Sequence, residues 1–462
     1  MMDKIEELKD EEDIEGLIEL LEENEIRIRE ETVKALGMIG AEEALPHLLD
    51  RLREDHASTV RANAALALSN FESEECKTAL KEAAEDEDWE VRHDSAIAMG
   101  NFRDDGVEEK LCSLIEDKEI EVRKKAIDSL GEVGDEDMIS EIEKYLDDED
   151  LKKNAARAIS KIGTEKAVEP LEMMYSDGDQ EMREIVIQGI GKIDTEETSL
   201  VILDALEDES WRIREDAAKI LGEKGDEEFV SYLVERLKDE KNYVVEAALR
   251  SLGKIDGGDV LEEVKEKIDD EEPSIRIAAA DALESLDTKE SAESLLEQIK
   301  REEHPRVLWS ISESLSGISK DNLKDLEDEI DSVTEDKDIF VSVAMAKAGL
   351  SSYTDELIPA LESERWKIRQ KATEAFGNLK IKDLNKRDRK KVVRKLRDRL
   401  NDNDKWVRAR AVKTLGKIIS EAGEDIDQEE IQEEILEMEK LEADEDVLEA
   451  VREVKDKWKE NF

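Results

Sequence analysis

Cysteine is almost absent: Cys76 and Cys112 make neither a closely spaced metal pair nor a disulfide framework. Both sit in apolar helical stretches, where an isolated thiol serves as a small core residue. Histidine occurs only at His47, His56, His93 and His304, too few for a multi-histidine metal centre. With 5 prolines and 21 glycines in 462 residues, the chain has little material for the linkers of a multidomain protein. Long apolar runs are missing too, the best being about eight residues around Ile339 to Ala346, well short of a membrane span. The start, from Met1 to Glu7, lacks the basic and apolar regions of a secretory signal, so a soluble cytoplasmic protein is expected. Positive charge is the last scarcity: 70 Lys and Arg against 127 Asp and Glu leave a net charge of −57. A polyanion cannot collect phosphates over its whole surface, which excludes a general nucleic-acid coat protein. A content of 43% charged residues is typical of disorder, but the 39% hydrophobic residues are strictly patterned and argue for a packed core.

What the chain has is a repeat. Its core reads apolar, Arg, two variable residues, small, apolar, variable, small, Leu, Gly, as in Val91 to Gly100, Val122 to Gly131, Ile213 to Gly222 and Val407 to Gly416. The Arg position falls at 29, 61, 92, 123, 152, 183, 214, 245, 276, 308, 341, 369 and 408, nearly always within two residues of a 31-residue interval. Each unit predicts two helices. The second, B, carries apolar or small residues at −1, +3, +4 and +7 from the Arg position, the stripe of an amphipathic helix. Small residues at +6, such as Ala35, Ala67, Ala98, Ala158, Ala282 and Ala375, admit a close neighbour. The first helix, A, is seen at Met138 to Leu146 and Phe229 to Leu237, with Pro46, Pro170 and Pro359 near such starts. Gly40, Gly134, Gly163 and Gly225, at +11, read as left-handed stops for helix B. An Asp stands six residues before the Arg position at Asp55, Asp86, Asp117, Asp177, Asp208, Asp239, Asp270 and Asp402. Two charges at a fixed offset predict a hydrogen-bonded ladder that sets register between repeats.

This core resembles the HEAT-repeat solenoids, specifically the short PBS-lyase HEAT-like repeats of the armadillo-type fold, over residues 13–420. The resemblance implies an all-α fold: a right-handed α-solenoid of about thirteen two-helix HEAT-like repeats, with B helices on the concave face. Residues 1–12 become an N-terminal capping segment and 421–462 C-terminal capping helices. It implies no single activity, since members include scaffolds, bilin lyase subunits, a di-iron hydroxylase and DNA-repair glycosylases. The similar deoxyhypusine hydroxylases bind iron through His-Glu pairs just after the Arg position. Here only His93-Asp94 stands there, against Glu30-Glu31, Ala62-Asn63, Lys124-Lys125, Lys153-Asn154, Glu184-Ile185 and Glu215-Asp216. There is also no Gly-rich phosphate loop, nucleophile elbow or nucleophile with a matched His. No catalytic residue, metal or cofactor is expected.

The repeat departs from itself in two places. Val245, Leu308 and Val341 replace the arginine, and at +1 and +2 repeats nine to eleven carry Ile277, Ala278, Trp309, Ser310, Ser342 and Val343 where most repeats are charged or polar. Either these form an apolar strip in the groove, centred on Trp309, that anchors a partner helix or peptide, or Trp309 packs between repeats. Residues 380–400 hold 11 Lys or Arg against three Asp, a segment of +8. Val392, Val393, Leu396 and Leu400 give it an apolar stripe, so Lys386, Arg387, Arg389, Lys390, Lys391, Arg394, Lys395 and Arg397 cover the outer face of a longer A helix, with Lys405, Arg408, Arg410 and Lys413 following. Either these bases neutralise acidic neighbours in the same chain, or 380–413 docks an acidic tail, nucleic acid or anionic membrane surface. Trp89, Trp211 and Trp366, three before an Arg position, and Trp406, two before, predict packing between repeats. The function expected is a non-catalytic protein-binding scaffold or adaptor holding a partner on the concave face. The alternatives are a nucleic-acid-associated protein contacting through 380–413 and, least supported, a bilin-lyase-like or hydroxylase-like enzyme subunit.

Overall fold

The computed structural model describes residues 2–255, 260–324, 326, 335–348, 354–379, 384, 386–421 and 426–460. Among these residues every regular element is helical. The chain divides into two compact units, Met1–Ile220 and Leu221–Phe462. In the first, after helix Met2–Asp10, A and B helices alternate: Ile14–Leu20 with Ile26–Ile39, Leu45–Glu54 with Ser58–Leu68, Glu74–Ala83 with Trp89–Met99, Asp105–Leu114 with Ile120–Val133, Ile139–Glu143 with Lys152–Ile162, and Val168–Asp177 with Gln180–Ile190. In the second the alternation includes Leu261–Lys267 with Pro273–Leu286, Lys289–Arg301 with Pro305–Gly317, Thr354–Ala360 with Trp366–Asn378, and Lys386–Arg399 with Lys405–Glu421.

Local chemistry sets the helix ends. The Ser73 hydroxyl accepts from the Cys76 N–H at 3.1 Å and the Asp179 carboxylate from the Met182 N–H at 2.9 Å, satisfying donors that have no partner within the helix. Pro273 and Pro305 open B helices where a missing N–H costs little. Pro46 likewise lies at a helix start, but Pro359 sits inside Thr354–Ala360, contrary to its expected place. Gly40 and Gly163 end their helices with φ of 69° and 61°, as a left-handed stop requires. Gly134 does not: its φ is −65°, and what demands glycine is the Leu130 carbonyl oxygen, 2.6 Å from where a Cβ would stand. At the same +11 place Asp287 takes φ 43°, its carboxylate accepting from the Ser319 N–H at 2.7 Å.

Packing between successive B helices follows one rule. The glycine at +8 of one helix faces the +6 residue of the next: a Cβ on Gly37 would lie 2.5 Å from the Ala67 Cβ, and one on Gly131 2.6 Å from the Ala158 Cα. In the second unit Gly253 faces Ala282 and Gly416 faces Val454. Buried aliphatics line each seam, among them Val122, Ala126, Ile127 and Leu130, each large one contributing roughly 1.5–3 kcal/mol. Cys76 is buried with them, whereas Cys112 is only half-buried, its Sγ 3.6 Å from the Met138 sulfur. The final helices, Gln428–Leu441 and Glu445–Glu460, keep the repeat's geometry, since Val454 occupies the +6 place against Gly416.

Candidate partner-binding surfaces

The Arg position builds the frame on which any surface rests. In the first unit Arg29, Arg61, Arg92 and Arg183 each place two nitrogens on an acid of the following repeat: Asp55 at 2.8 and 2.9 Å, Asp86 at 2.8 Å twice, Asp117 at 2.6 and 2.9 Å, and Asp208 at 2.7 and 3.2 Å. Arg123 reaches Asp148 by one bond of 3.4 Å. The remaining nitrogen turns inward, Arg61 donating to the Asp55 carbonyl and Arg92 to the Asp86 carbonyl, both at 2.8 Å. The acids complete the turn by accepting the N–H two residues on, at Ala57, Asp88 and Glu119. Burial alone would raise the carboxyls of Asp55, Asp86 and Asp117, but the arginine and the N–H outweigh it and hold each below the usual carboxylate range. The second unit has the same rungs at Arg276 with Glu302, Arg369 with Asp402 and Arg408 with Glu442. Asp177 and Asp270 are not rungs, because the preceding repeats offer Lys152, paired with Glu149 of its own turn, and Val245.

Around Trp309 the ladder lapses. Val245, Leu308 and Val341 are buried aliphatics in the arginine's place, and no rung lies between Glu302 and Arg369 among the described residues. The expected apolar strip is corrected here: Ala278, Ser342 and Val343 are 0%, 0% and 1% exposed and cannot touch a partner. The reason is the seam itself. Ser312 donates to the Phe340 carbonyl at 2.8 Å, so the small residues of helix Glu335–Lys347 are turned into the contact with Pro305–Gly317. Ile277 and Trp309 stay half-buried. The Trp309 ring meets Phe340 edge-on at 4.8 Å and 63° and rests against a core that includes Val343 and Phe376. In the same +1 column the half-buried residues of other repeats are Glu30, His93, Lys124, Lys153, Glu184, Glu215, Glu246, Gln370 and Ala409. One turn beyond Trp309, Glu313 accepts from Lys371 at 2.5 Å and from Lys347; burial would raise its carboxyl, but the two lysines hold it below the usual range.

The other singled-out residues fall elsewhere. Trp89 and Trp406 are 41% and 44% exposed, so they do not pack between repeats as expected; the first turn of helix B leaves their rings at the rim. Cations cover three of these rings: Arg212 over Trp211 at 5.3 Å, Lys367 over Trp366 at 5.7 Å and Lys405 over Trp406 at 4.9 Å. His93 is engaged by Asp94 at 2.8 Å, and no group of three or more metal-ligating side chains stands together among the described residues.

The basic segment is helix Lys386–Arg399, held by buried Val392, Val393 and Leu396; Lys380 and Lys382 lie outside the described residues. Part of its charge is spent internally. Arg397 bonds Glu430 at 2.8 Å and Glu434 at 2.5 Å, Lys395 pairs with Glu362, Arg399 with Asp402 at 3.0 Å, and Arg389 donates to the Leu384 carbonyl. Arg387 and Lys391 are also engaged. Arg410 belongs to the following B helix and lines a separate cavity of about 360 Å³ with Lys413 and Trp458. No helix among the described residues is long and apolar enough to cross a membrane.

Stacked A and B helices joined by an Arg–acid ladder define an α-solenoid of repeated units. The profile of the HEAT-repeat family matches residues 2–69, 57–118, 77–152, 108–184, 174–253, 243–316 and 354–433, and the chain belongs to that family. Among solved structures it is similar to the Kap95:Nup1 complex, with a TM-score of 0.58 at 12% identity over 94% of this chain and 70% of that one. Yeast importin-β scores 0.54 at 12% identity, covering 95% and 71%. Human deoxyhypusine hydroxylase, at 0.26 and 19% identity over 54% of this chain and 98% of that one, is too dissimilar to bear on function. The search of curated proteins gives no match.

Proposed function

We propose that this chain is a non-catalytic, cytoplasmic protein-binding scaffold, and that Trp309 with Ile277 anchors a polypeptide partner on the B-helix face. The observation that carries the reading is the +1 column: a half-buried position charged or polar in repeats three to eight turns apolar at Ile277 and Trp309, beside the stretch where the ladder lapses. Trp is the residue type most concentrated at binding hot spots, and Glu313 with its two lysines supplies a polar rim. The fold accommodates such a role, since one similar solenoid is known as the Kap95:Nup1 complex.

The test is capture from the native host at matched ionic strength with the wild-type chain, Trp309→Ala and Ile277→Asp, followed by mass spectrometry and a helicity check by circular dichroism. A protein retained by wild type and lost by both folded variants is the expected result. An unchanged set of retained proteins would remove Trp309 from the function.

A further inference from the structure

Three bases of helix Lys386–Arg399 escape the internal pairing that consumes their neighbours. Lys386, Lys390 and Arg394 are exposed, and none has an ion-pair partner among the described residues, in a chain of 127 acids. Their spacing of four places them on one face of the helix, a stripe about 12 Å long at 1.5 Å per residue. The stripe leads into a cleft of about 750 Å³ between this helix and Gln428–Leu441. Arg394 stands at the join. Beyond it the cleft is walled by Glu434, Glu437 and Glu442 and carries an apolar lip of half-buried Met438 and Leu441, which is 78% exposed.

We propose that this stripe and lip form a second docking surface, distinct from Trp309, for a short acidic polypeptide segment that ends in an apolar side chain. Charge complementarity selects the occupant. Carboxylates of the segment meet Lys386, Lys390 and Arg394 in turn, and its apolar residue settles on Met438 and Leu441. A nucleic acid fits the same surface poorly: tight binding draws on about six to ten phosphates, three unpaired cations are offered, and the next cations in the cleft, Arg397 and Arg408, are already held by Glu434 and Glu442. A stretch of about four extended residues spans the stripe at 3.3 Å each, so the footprint matches a linear motif rather than a folded domain. Acids farther than a Debye length of about 8 Å are screened in physiological salt, and of those lining the cleft Glu434 and Glu442 are paired with Arg397 and Arg408.

The test uses the full chain and a labelled synthetic peptide of consecutive glutamates ending in leucine, read by fluorescence anisotropy. Saturable binding is expected, weakened at least about tenfold in the triple variant Lys386→Glu, Lys390→Glu, Arg394→Glu and about threefold to tenfold in Leu441→Asp, with the leucine-free peptide matching the latter loss. Both variants change exposed side chains, and an unchanged thermal melt certifies their folding. Equal binding by wild type and the triple variant would overturn the proposal. So would a single-stranded oligonucleotide that displaces the peptide at equal or lower concentration, which would assign the stripe to nucleic acid. Trp309→Ala leaves the peptide affinity unchanged, so this surface and the one around Trp309 succeed or fail separately.

Discussion

The two units solve the same packing problem with different means. In the first, from Arg29 to Arg183, a bidentate arginine joins most repeats to the next, and the +1 position is charged at Glu30, Lys124, Lys153 and Glu184. In the second, Arg276, Arg369 and Arg408 keep the rung while Val245, Leu308 and Val341 give up the arginine; the seams without it rest on apolar packing, and Trp309 comes partly into view. Directional bonds fix register but occupy the rim with the chain's own charges. Apolar seams leave the rim free for other side chains, at a loss of directional constraint.

Acidification offers the most drastic way to break the comparison. Asp55, Asp86 and Asp117 are held low in the fold, so their contribution is complete above the ordinary carboxylate value of about 3.9 and is lost as pH falls through the lower, folded value. Amide exchange of helices Ile26–Ile39, Ser58–Leu68 and Trp89–Met99 therefore loses protection together below about pH 4. Loss of protection in the three helices already near pH 6 would contradict the ladder's part. A single rung comes next. Arg92→Leu copies the second unit's choice at Leu308 but leaves part-buried Asp117 without its arginine, at a cost of about 1.5–3 kcal/mol in denaturant unfolding. The seams differ in a smaller way: Gly37→Ala meets Ala67 at 2.5 Å and costs about 1–3 kcal/mol, whereas Gly377→Ala first meets the Thr414 hydroxyl at 3.1 Å and costs less than about 1. The smallest effect belongs to the exposed pair of Lys34 with Glu31, where Lys34→Ala leaves the melting temperature unchanged within about 1 °C.

Much of the regular part was legible because it is periodic. Arg61, Arg92 and their acids, the glycine stop at Gly163 and the close approach at Ala67 follow from spacing alone, since one local rule is enforced in each repeat. The misses arise where a neighbour decides. Asp148 serves Arg123 from four residues before its own repeat's Arg position, because that interval is short; Glu302 and Glu442 are rungs of the other acid type. Ala278, Ser342 and Val343 share offsets with half-buried residues, yet their small size lets the adjacent helix close over them. Which bases of Lys386–Arg399 find an acid depends on where Glu362, Glu430 and Glu434 come to lie, and those are distant in sequence.

The measurement that tests the central claim most directly is a double-mutant cycle on one rung: Arg92→Ala, Asp117→Ala and the pair, each followed by amide exchange in helices Trp89–Met99 and Ile120–Val133. A ladder that carries register between repeats predicts a coupling of about 1.5–3 kcal/mol, felt in both helices. A coupling below about 0.5 kcal/mol, or one confined to the mutated helix, would show that the rung ornaments a stack held by apolar packing alone.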